Sequence, residues 1–543
     1  MNRDLLDISD GLLSGRLSVD DHHPVSIGAQ SQGLDLGDGL LFIESFANVT
    51  ALHEDGELAL VDAGGVIHAR QIHEIVRTHT SAPLRRAVYT HGHVDHCFGV
   101  PLFEAEDGAP GVEVISHEAV TKRFDRYQLT NGYNGTINQR QFRLAAALFP
   151  SDFRYPDTTF RESTAFSLGA TDLELNHDKG ETDDHTWVWM PQRRVLCTGD
   201  LIMWVAPNCG NPQKVQRYPL EWAAALRKMA ELEPEILLPG HGLPIVGTES
   251  VATVLGDTAE LLESITSQTL EMMNAGETLD SIIHSVEVPG GLLDRPWMQP
   301  IYDDPEFIVH NVWRLYGGWF DGNPARLWPH PPEQAGPRYV AAMGGIDRVV
   351  ELARDAFDSG DFRWAATLLD HAVFTDQNHE GARRLYADAL EQLGYGAECA
   401  TWRNFFLSGA TELRSGNFGT PVSTTAPTML TQLTPEQMFD ILALSVNGPR
   451  AWDLDLAVDV TFADLDVNYR LTLRNGVLVY RKRPPEPATA AVTVTLAAKM
   501  RLLAAAMGDF DSPGLDVVGD SGALQALMGV LDRPDPNFNI ITP

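Results

Sequence analysis

The sequence predicts an α/β protein, with an α/β sandwich up to about residue 245, then an all-α unit and finally a small α+β unit. In the first half, short β-branched and aromatic runs alternate with Asp-Gly and Gly-Gly turns, a pattern typical of strands. From about residue 248 the apolar residues instead recur at helical spacing. After residue 432, alternating runs flank Asn475 and Gly476, which predicts a β-hairpin.

The domain organisation follows from the chain length and from changes in composition. A chain of 543 residues is too long for one hydrophobic core, because domains usually contain about 100 to 200 residues. We expect domains over residues 1–275, 276–415 and 433–543. The stretch 416–432 is rich in Gly, Ser, Thr and Pro, which indicates a linker.

The chain is strongly acidic. It carries 40 Lys and Arg against 74 Asp and Glu, a formal net charge of −34. This balance argues against a nucleic-acid partner, since contacts from Lys and Arg to phosphate dominate such binding. It also repels anionic substrates at long range, so an anion site would have to be built locally from metal ions and a few positive side chains.

The apolar stretches and the N-terminus bear on localisation. No uninterrupted apolar stretch approaches the roughly 18 residues that a membrane span needs, so we expect no integral membrane association. The N-terminus lacks a positive region followed by an apolar core, and the four cysteines show no paired spacing. We therefore expect a cytoplasmic protein, although a mature secreted or periplasmic form without its signal would look the same.

Three histidines and an aspartate lie close together directly after the predicted strand LRRAVYT. They are His91, His93, Asp95 and His96, in the run THGHVDH. Residues i and i+2 of an extended segment share a face, so His91 and His93 can bind one metal ion while Asp95 and His96 address a second. The run therefore predicts a two-metal site.

The second half of that site is predicted farther along the chain. Asp200 in LCTGDLI and His241 in LLPGHGLPI each follow a predicted strand and have glycine beside them, which lets the loop approach a shared ion. Asp200 is suited to bridge two ions. Glu181 and His185, in GETDDHT, are alternative further ligands.

These motifs resemble the metallo-β-lactamase superfamily, in which H-x-H-x-D-H, a further His, an Asp and a final His form a binuclear site. The resemblance implies an αββα sandwich and two Zn²⁺ per chain. Where many members have Gly-His-Thr, this chain has Glu181 between Gly180 and Thr182, nineteen positions before Asp200. That glutamate and spacing are similar to the alkylsulfatase branch, and His185 remains the alternative. The expected ligands are His91, His93, Asp95, His96, Glu181, Asp200 and His241.

Segments outside the metal motifs also resemble the alkylsulfatase branch. The string GGWFDGNPARLWPHPPE and the helical segments after it are similar to the alkylsulfatase dimerisation domain, which implies a homodimer through the helical unit. The final segment, closing in PNFNIITP, is similar to the sterol-carrier-like domain that follows in that family. The resemblance covers the chain from about residue 35.

The resemblance also suggests residues that contact a sulfate ester. The family segment that holds the sulfate aligns with Tyr133, Asn134 and Arg140, for which the alternative is a turn with a surface arginine. His310 matches a family histidine that approaches the ester, although a lone histidine is more often a packed core residue.

One stretch departs from the family pattern. The family has Asn-Ala-Thr and later Thr-Leu-Arg after its bridging carboxylate, whereas this chain reads LIMWVAPNCGNPQKVQRYP. Lys214 or Arg217 could substitute only approximately for the missing sulfate-binding arginine.

The resemblance implies a zinc-dependent hydrolase of alkyl sulfate monoesters, a class of small amphiphilic substrates. A water whose pKa is lowered by zinc would be the nucleophile, attacking either carbon or sulfur. Asp95 and His310 are the expected catalytic residues. The segment 313–333, WRLYGGWFDGNPARLWPHPPE, which we call the aromatic loop, would hold the alkyl chain. The alternatives are a lactonase, thioesterase, phosphodiesterase or β-lactam hydrolase with the same site, or a lipid-binding protein with a vestigial one.

Overall fold

A computed structural model of the chain describes residues 4–25, 28, 30–106, 111–145, 149–417, 433–498, 501–502, 513–532, 535 and 537–543. Residues 418–432, nearly all of the predicted linker, lie outside the described residues.

The strands of the first half form two sheets. Several of them, such as the runs LLFIE and VLCTG, are buried along their whole length, as expected for strands covered on both faces. The first sheet contains, in spatial order, β1 Gln32–Asp35, β2 Leu40–Glu44, β3 Val49–Glu54, β4 Glu57–Val61, β5 Leu84–Val88, β6 Glu113–His117 and β7 Thr158–Phe160. The second contains β8 Ser163–Leu168, β9 Thr171–His177, β10 Thr186–Met190, β11 Val195–Gly199, β12 Ile236–Pro239 and β13 Ile245–Val246.

Helices cover the outer faces of both sheets. The helices of this first unit are α1 Leu5–Leu13, α2 Ala69–His79, α3 Val100–Glu104, α4 Ala119–Leu129, α5 Asn131–Phe142, α6 Pro219–Ala230 and α7 Thr248–Ala275. The inner faces pack on each other through residues such as Phe42, Leu175 and Val188. Helices α2 and α3 pack on the first sheet, whereas α6 and α7 pack on the second. This layering confirms the predicted αββα sandwich.

The second unit is helical. It comprises α8 Leu279–Ile283, α9 Pro305–Tyr316, a 3₁₀ turn Pro324–Arg326, α10 Pro332–Ala342, α11 Ile346–Asp358, α12 Phe362–Thr375, α13 Glu380–Gly396 and α14 Ala400–Ser415. Helices α10 to α14 share a core that includes Val349, Leu369, Leu385 and Leu413. None of the helices in the described part of the chain is both long and apolar enough to cross a membrane.

The third unit is a mixed sheet with helices packed on it. It comprises α15 Pro435–Leu444, α16 Gly448–Ala451, β14 Asp455–Phe462, β15 Val467–Arg474, β16 Val477–Lys482, β17 Val492–Leu496, β18 Leu515–Gly519 and α17 Ser521–Gly529, with strand order β16-β15-β14-β17-β18. Asn475 and Gly476 join β15 to β16, and both have positive φ angles, of 51° and 74°. Two positive φ angles in a two-residue loop match the right-handed twist of a hairpin, which confirms the Asn-Gly prediction.

Candidate metal centre and adjoining cavity

The predicted ligands converge at one edge of the sandwich. The run from His91 to His96 follows β5. Asp200 directly follows β11, and His241 comes one residue after the neighbouring parallel strand β12. Because parallel strands end at the same edge of a sheet, residues far apart in the sequence meet there. A Cβ at Gly240 would lie 2.2 Å from Oδ1 of Asp200, so only glycine permits this approach.

The first group of candidate ligands is His91, His93, Glu181 and Asp200, whose ligand atoms all lie within 4.8 Å of one another. Nε2 of His91 is 3.6 Å from Oδ2 of Asp200 and 3.7 Å from Oε2 of Glu181. Nδ1 of His93 is 3.6 Å from the same glutamate oxygen. This group contains both residue types that zinc binds through nitrogen and oxygen.

The second group is Asp95, His96 and His241, which lie within the same distance limit of 4.8 Å. Nε2 of His241 is 3.5 Å from Oδ2 of Asp95. Asp200 faces this group as well, because its Oδ1 is 3.3 Å from Nε2 of His96 and its Oδ2 is 3.3 Å from Nε2 of His241. The carboxylate of Asp200 therefore lies between the two groups.

Buried atoms without a hydrogen-bond partner indicate that the two ligand groups fit metal ions. Oε2 of Glu181, Nε2 of His96 and Oδ1 of Asp200 are buried and have no hydrogen-bond partner among the described residues. Leaving a buried charged or polar atom unpaired costs free energy, so such atoms normally have a partner or bind a metal. Each of these atoms belongs to a residue of the two ligand groups, where a cation would satisfy it.

Atoms outside the two groups orient the imidazoles. Nδ1 of His96 lies 2.7 Å from Oδ2 of Asp62, and Nδ1 of His241 contacts the main-chain oxygen of Phe46. Each contact leaves Nε2 directed at the site, which is how metal-binding histidines are usually held. Asp62 also accepts hydrogen bonds from the backbone and hydroxyl groups of Thr90. Asp62 was not predicted from the sequence. The feature that could have indicated it is its position as an acidic residue directly after a buried strand and before Ala-Gly-Gly.

Of the two alternative ligands, Glu181 lies in the first ligand group and His185 does not. Nε2 of His185 lies 2.9 Å from the main-chain oxygen of Thr198, and the residue is in neither ligand group. Nη1 of Arg217 lies 2.5 Å from Oε1 of Glu181 and also contacts its main-chain oxygen, so Oε2 is left for the site. Arg217 is therefore a partner of a candidate ligand.

A cavity of about 850 Å³ opens beside both ligand groups. Its polar end includes His93, Asp95, Glu181, Asp200, His241 and Lys214. Its apolar walls include Phe46, Val66, Ile67, Phe142, Leu144, Phe149, Met203, Val205 and Val215. A cavity that joins charged groups beside the candidate ligands to apolar walls suits a molecule with a polar head and an apolar chain.

Four predicted substrate residues line this cavity. They are Tyr133, Asn134, Lys214 and Arg217. Nζ of Lys214 donates to Oδ1 of Asn138 at 2.9 Å, and burial lowers the pKa of Lys214 to about 8. Tyr302 also lines the cavity and was missed by sequence analysis, because it lies in an irregular segment without a motif.

Two predicted contacts lie elsewhere. Arg140 is not among the residues that line the cavity; its guanidinium contacts the main-chain oxygen of Phe538 instead. Asn134, Asn138 and Phe142 recur every four residues along α5 and line the cavity, whereas Arg140 lies on a different face of the helix. His310, on α9, also lies outside the cavity lining, and its Nε2 is 3.6 Å from Oε1 of Glu306 on the same helix.

The aromatic loop departs from expectation too. Trp319 and Trp328 are 77% and 96% exposed and do not line the cavity. Among the described residues of the segment 297–333, only Ile301 and Tyr302 line the cavity, and both precede the aromatic loop in the sequence. The apolar wall is instead built by segments of the first unit.

Comparisons with known families cover nearly the whole chain. Residues 43–241 match the metallo-beta-lactamase superfamily, residues 278–416 match alkyl sulfatase dimerisation, and residues 423–543 match alkyl sulfatase C-terminal.

Individual relatives are also named as alkylsulfatases. The chain is 33% identical over 533 residues to an (R)-specific secondary-alkylsulfatase of Pseudomonas sp., covering 92% of this chain and 80% of the relative. It is 32% identical to a linear primary-alkylsulfatase of Pseudomonas sp., covering 85% and 73%. A solved structure, the stereoselective inverting sec-alkylsulfatase Pisa1 from Pseudomonas sp., superposes with a TM-score of 0.84 at 31% identity and covers 94% of this chain and 86% of that one. The chain therefore belongs to the alkylsulfatases of the metallo-beta-lactamase superfamily.

Proposed function

We propose that this chain is a zinc-dependent alkylsulfatase that hydrolyses alkyl sulfate monoesters to an alcohol and inorganic sulfate. The observation that carries the proposal is the cavity, which joins the candidate ligands and the Lys214 ammonium to an apolar wall. An alkyl sulfate has the matching shape, because its charged head fits the polar end and its chain fits the wall. The names of the relatives support the same substrate class.

Two Zn²⁺ per chain are proposed to bind the two ligand groups. His91, His93 and Glu181 would hold one ion, Asp95, His96 and His241 would hold the other, and Asp200 would contact both. When bound, zinc supplies Lewis acidity and a water whose pKa is lowered to about 7. Asp62 and the main-chain oxygen of Phe46 would keep the imidazoles of His96 and His241 in the orientation that zinc needs.

The chain's own residues would bind and orient the sulfate group. Lys214 supplies a positive charge at the polar end, and its bond to Asn138 holds the ammonium in place. The hydroxyl oxygen of Tyr302 accepts from Nε2 of Gln141 at 2.7 Å, so its own hydrogen can be directed into the cavity toward a sulfate oxygen. Arg123 also lines the cavity but is held by ion pairs to Asp183 and Asp184.

A substrate panel tests the proposed function. We expect the zinc-loaded protein to release inorganic sulfate from dodecyl sulfate and shorter alkyl sulfates, and to act weakly or not at all on an aryl phosphate, a lactone and a cephalosporin. Running the reaction in isotopically labelled water distinguishes attack on carbon, which labels the alcohol, from attack on sulfur, which labels the sulfate. Absence of sulfate release from every alkyl sulfate would refute the proposal. Alkyl sulfate binding without turnover, in a chain that holds less than two zinc ions, would favour the lipid-binding alternative.

We propose that the chain forms a homodimer through the helical unit, with the aromatic loop at the interface. The two exposed tryptophans of this loop support the proposal, because large aromatic side chains stabilise interfaces when they are buried. In analytical ultracentrifugation, the wild type is expected at twice the mass of one chain, and Trp328→Asp is expected to shift it toward the mass of one chain. Trp452→Asp is the matched control, since Trp452 is 63% exposed in the third unit. An unchanged dimer in Trp328→Asp would place the interface elsewhere.

A further inference from the structure

The segment from Asn537 to Pro543, which we call the closing segment, docks on a buried carboxylate of the helical unit. Glu412 lies on α14 and is only 3% exposed. Its Oε2 accepts from the backbone of Ile540 at 2.8 Å, and its Oε1 accepts from the backbones of Ile541 and Thr542 at 3.1 and 3.0 Å. The hydroxyl of Thr542 adds a fourth bond at 2.7 Å. Four donors on one carboxylate make a strong, directional attachment, because hydrogen bonds to a charged acceptor are stronger than neutral ones.

The closing segment also contacts helix α5. The guanidinium of Arg140 donates to the main-chain oxygen of Phe538, and its central carbon lies 4.7 Å from the centre of the Phe538 ring. The Phe538 ring lies nearly parallel to that of Tyr133, with centroids 6.0 Å apart. The side chain of Asn417 donates to the main-chain oxygen of Asn537 at 2.8 Å and accepts from Arg140 at 3.3 Å. The closing segment thus contacts α5 at Tyr133 and Arg140, which lie about two turns apart on one side of the helix.

Helix α5 needs such external support. Its sequence, NGYNGTINQRQF, contains two glycines and three asparagines, which are poor helix formers, and few large apolar residues. Its placement therefore depends on contacts with other elements. Apart from the closing segment, these include the bond from the side chain of Asn404, on α14, to the main-chain oxygen of Gln141 at 2.6 Å.

Helix α5 lines the cavity and contacts Lys214. Tyr133, Asn134 and Asn138 of this helix line the cavity. Asn138 accepts from Lys214, and its own amide donates to the main-chain oxygen of Asn134 at 2.8 Å. A shift of α5 would move the oxygen that holds the Lys214 ammonium. A path of direct contacts therefore connects the closing segment to the proposed sulfate-binding lysine.

We propose that the closing segment is a strap that positions helix α5, and that Glu412, Arg140 and Phe538 are positioning residues for the binding of the sulfate ester. This inference rests on the proposed alkylsulfatase function. It replaces the expectation that Arg140 contacts sulfate directly, because the arginine acts here through Tyr133 and Asn138.

The test compares a chain ending at residue 536 with Arg140→Met and with Glu412→Gln, all loaded with zinc. Each is expected to raise KM for an alkyl sulfate about tenfold, to weaken inhibition by inorganic sulfate by a similar factor, and to change kcat and zinc content little. Glu391→Gln is the matched control, because Glu391 on the adjacent α13 pairs with Arg414 and leaves the closing segment untouched. Its KM is expected to equal that of the wild type.

A double-mutant cycle separates positioning from direct contact. Arg140→Met introduced into the chain ending at residue 536 is expected to add little, because both changes break the same attachment. If Arg140 bound sulfate itself, the second change would weaken binding by its full factor, and the strap would be refuted. An unchanged KM in all three variants would refute it equally.

Hydrogen exchange provides a readout that does not depend on turnover. In Arg140→Met and Glu412→Gln, the amides of α5 are expected to exchange faster while those of α6 and α12 stay as in the wild type. Unchanged exchange in α5 would overturn the strap. Lack of sulfate release by the wild type would instead overturn the proposed function, and the exchange measurement would still test the strap.

Discussion

Replacing Asp200 with asparagine is expected to lower kcat/KM for an alkyl sulfate by about 10³-fold or more, because Lewis-acid stabilisation by the metals is worth several kcal/mol. The two carboxylate oxygens of Asp200 face different ligand groups, Oδ1 toward His96 and Oδ2 toward His91 and His241. An amide of the same shape keeps one oxygen but replaces the other with a group that cannot bind a cation. Metal analysis is expected to find fewer than two zinc ions per chain.

The control for this substitution is Asp178→Asn. Asp178 is a nearby carboxylate that bonds to the indole of Trp187 and pairs with Lys228 outside the metal centre. Its replacement is expected to leave zinc content and kcat/KM unchanged. Circular dichroism confirms that both variants are folded. A fully active Asp200→Asn protein with two zinc ions would contradict the bridging position.

Replacing Lys214 with methionine is expected to lower kcat/KM about 10²-fold, mainly through KM, because the sulfate would lose its charged hydrogen-bond donor in a buried site. Lys214→Arg is expected to retain part of the affinity, since it keeps the charge but changes the geometry. Lys228→Met is the control, because Lys228 is half exposed at the surface. Equal KM values for Lys214→Met and the wild type would exclude Lys214 as a sulfate contact.

The lowered pKa of Lys214 predicts that kcat/KM depends on pH. Burial, and then the positive charge of Arg217, lower the pKa of Lys214 to about 8. The protonated form binds an anion, so affinity is complete below pH 8 and is lost as the pH rises through this value. The wild-type kcat/KM, which reports the free enzyme, is therefore expected to fall above pH 8. Lys214→Arg stays charged and is expected to lose that decline, whereas superimposable profiles would contradict the assignment.

Several features follow from short stretches of sequence because they depend on local geometry. His91, His93, Asp95 and His96 occupy six positions after a strand, and the backbone alone brings them near one another. The Asn475 and Gly476 turn specifies its hairpin for the same reason, since few residues adopt two successive positive φ angles. The family resemblance then supplied the fold class, which the layered sheets confirm.

The residues around the metal ligands are placed by packing between segments distant in the sequence, and local sequence patterns do not predict such packing. Arg140 and His310 carry suitable chemistry, yet the helices that hold them direct one to the closing segment and the other to Glu306. Asp62 orients His96 from another strand end, and Tyr302 reaches the cavity from an irregular segment.

The sequence by itself therefore determined the α/β class and the candidate metal ligands, through strand periodicity and residues at the ends of strands, and it indicated the family through the resemblance of its motifs. Only the tertiary structure decided which side chains line the cavity, that Glu181 rather than His185 joins the first ligand group, and that Arg217 is held by Glu181. The physical reason is that burial, charge pairing and helix placement are set by contacts between different segments of the chain, whereas spacing along the chain specifies only what one segment can present.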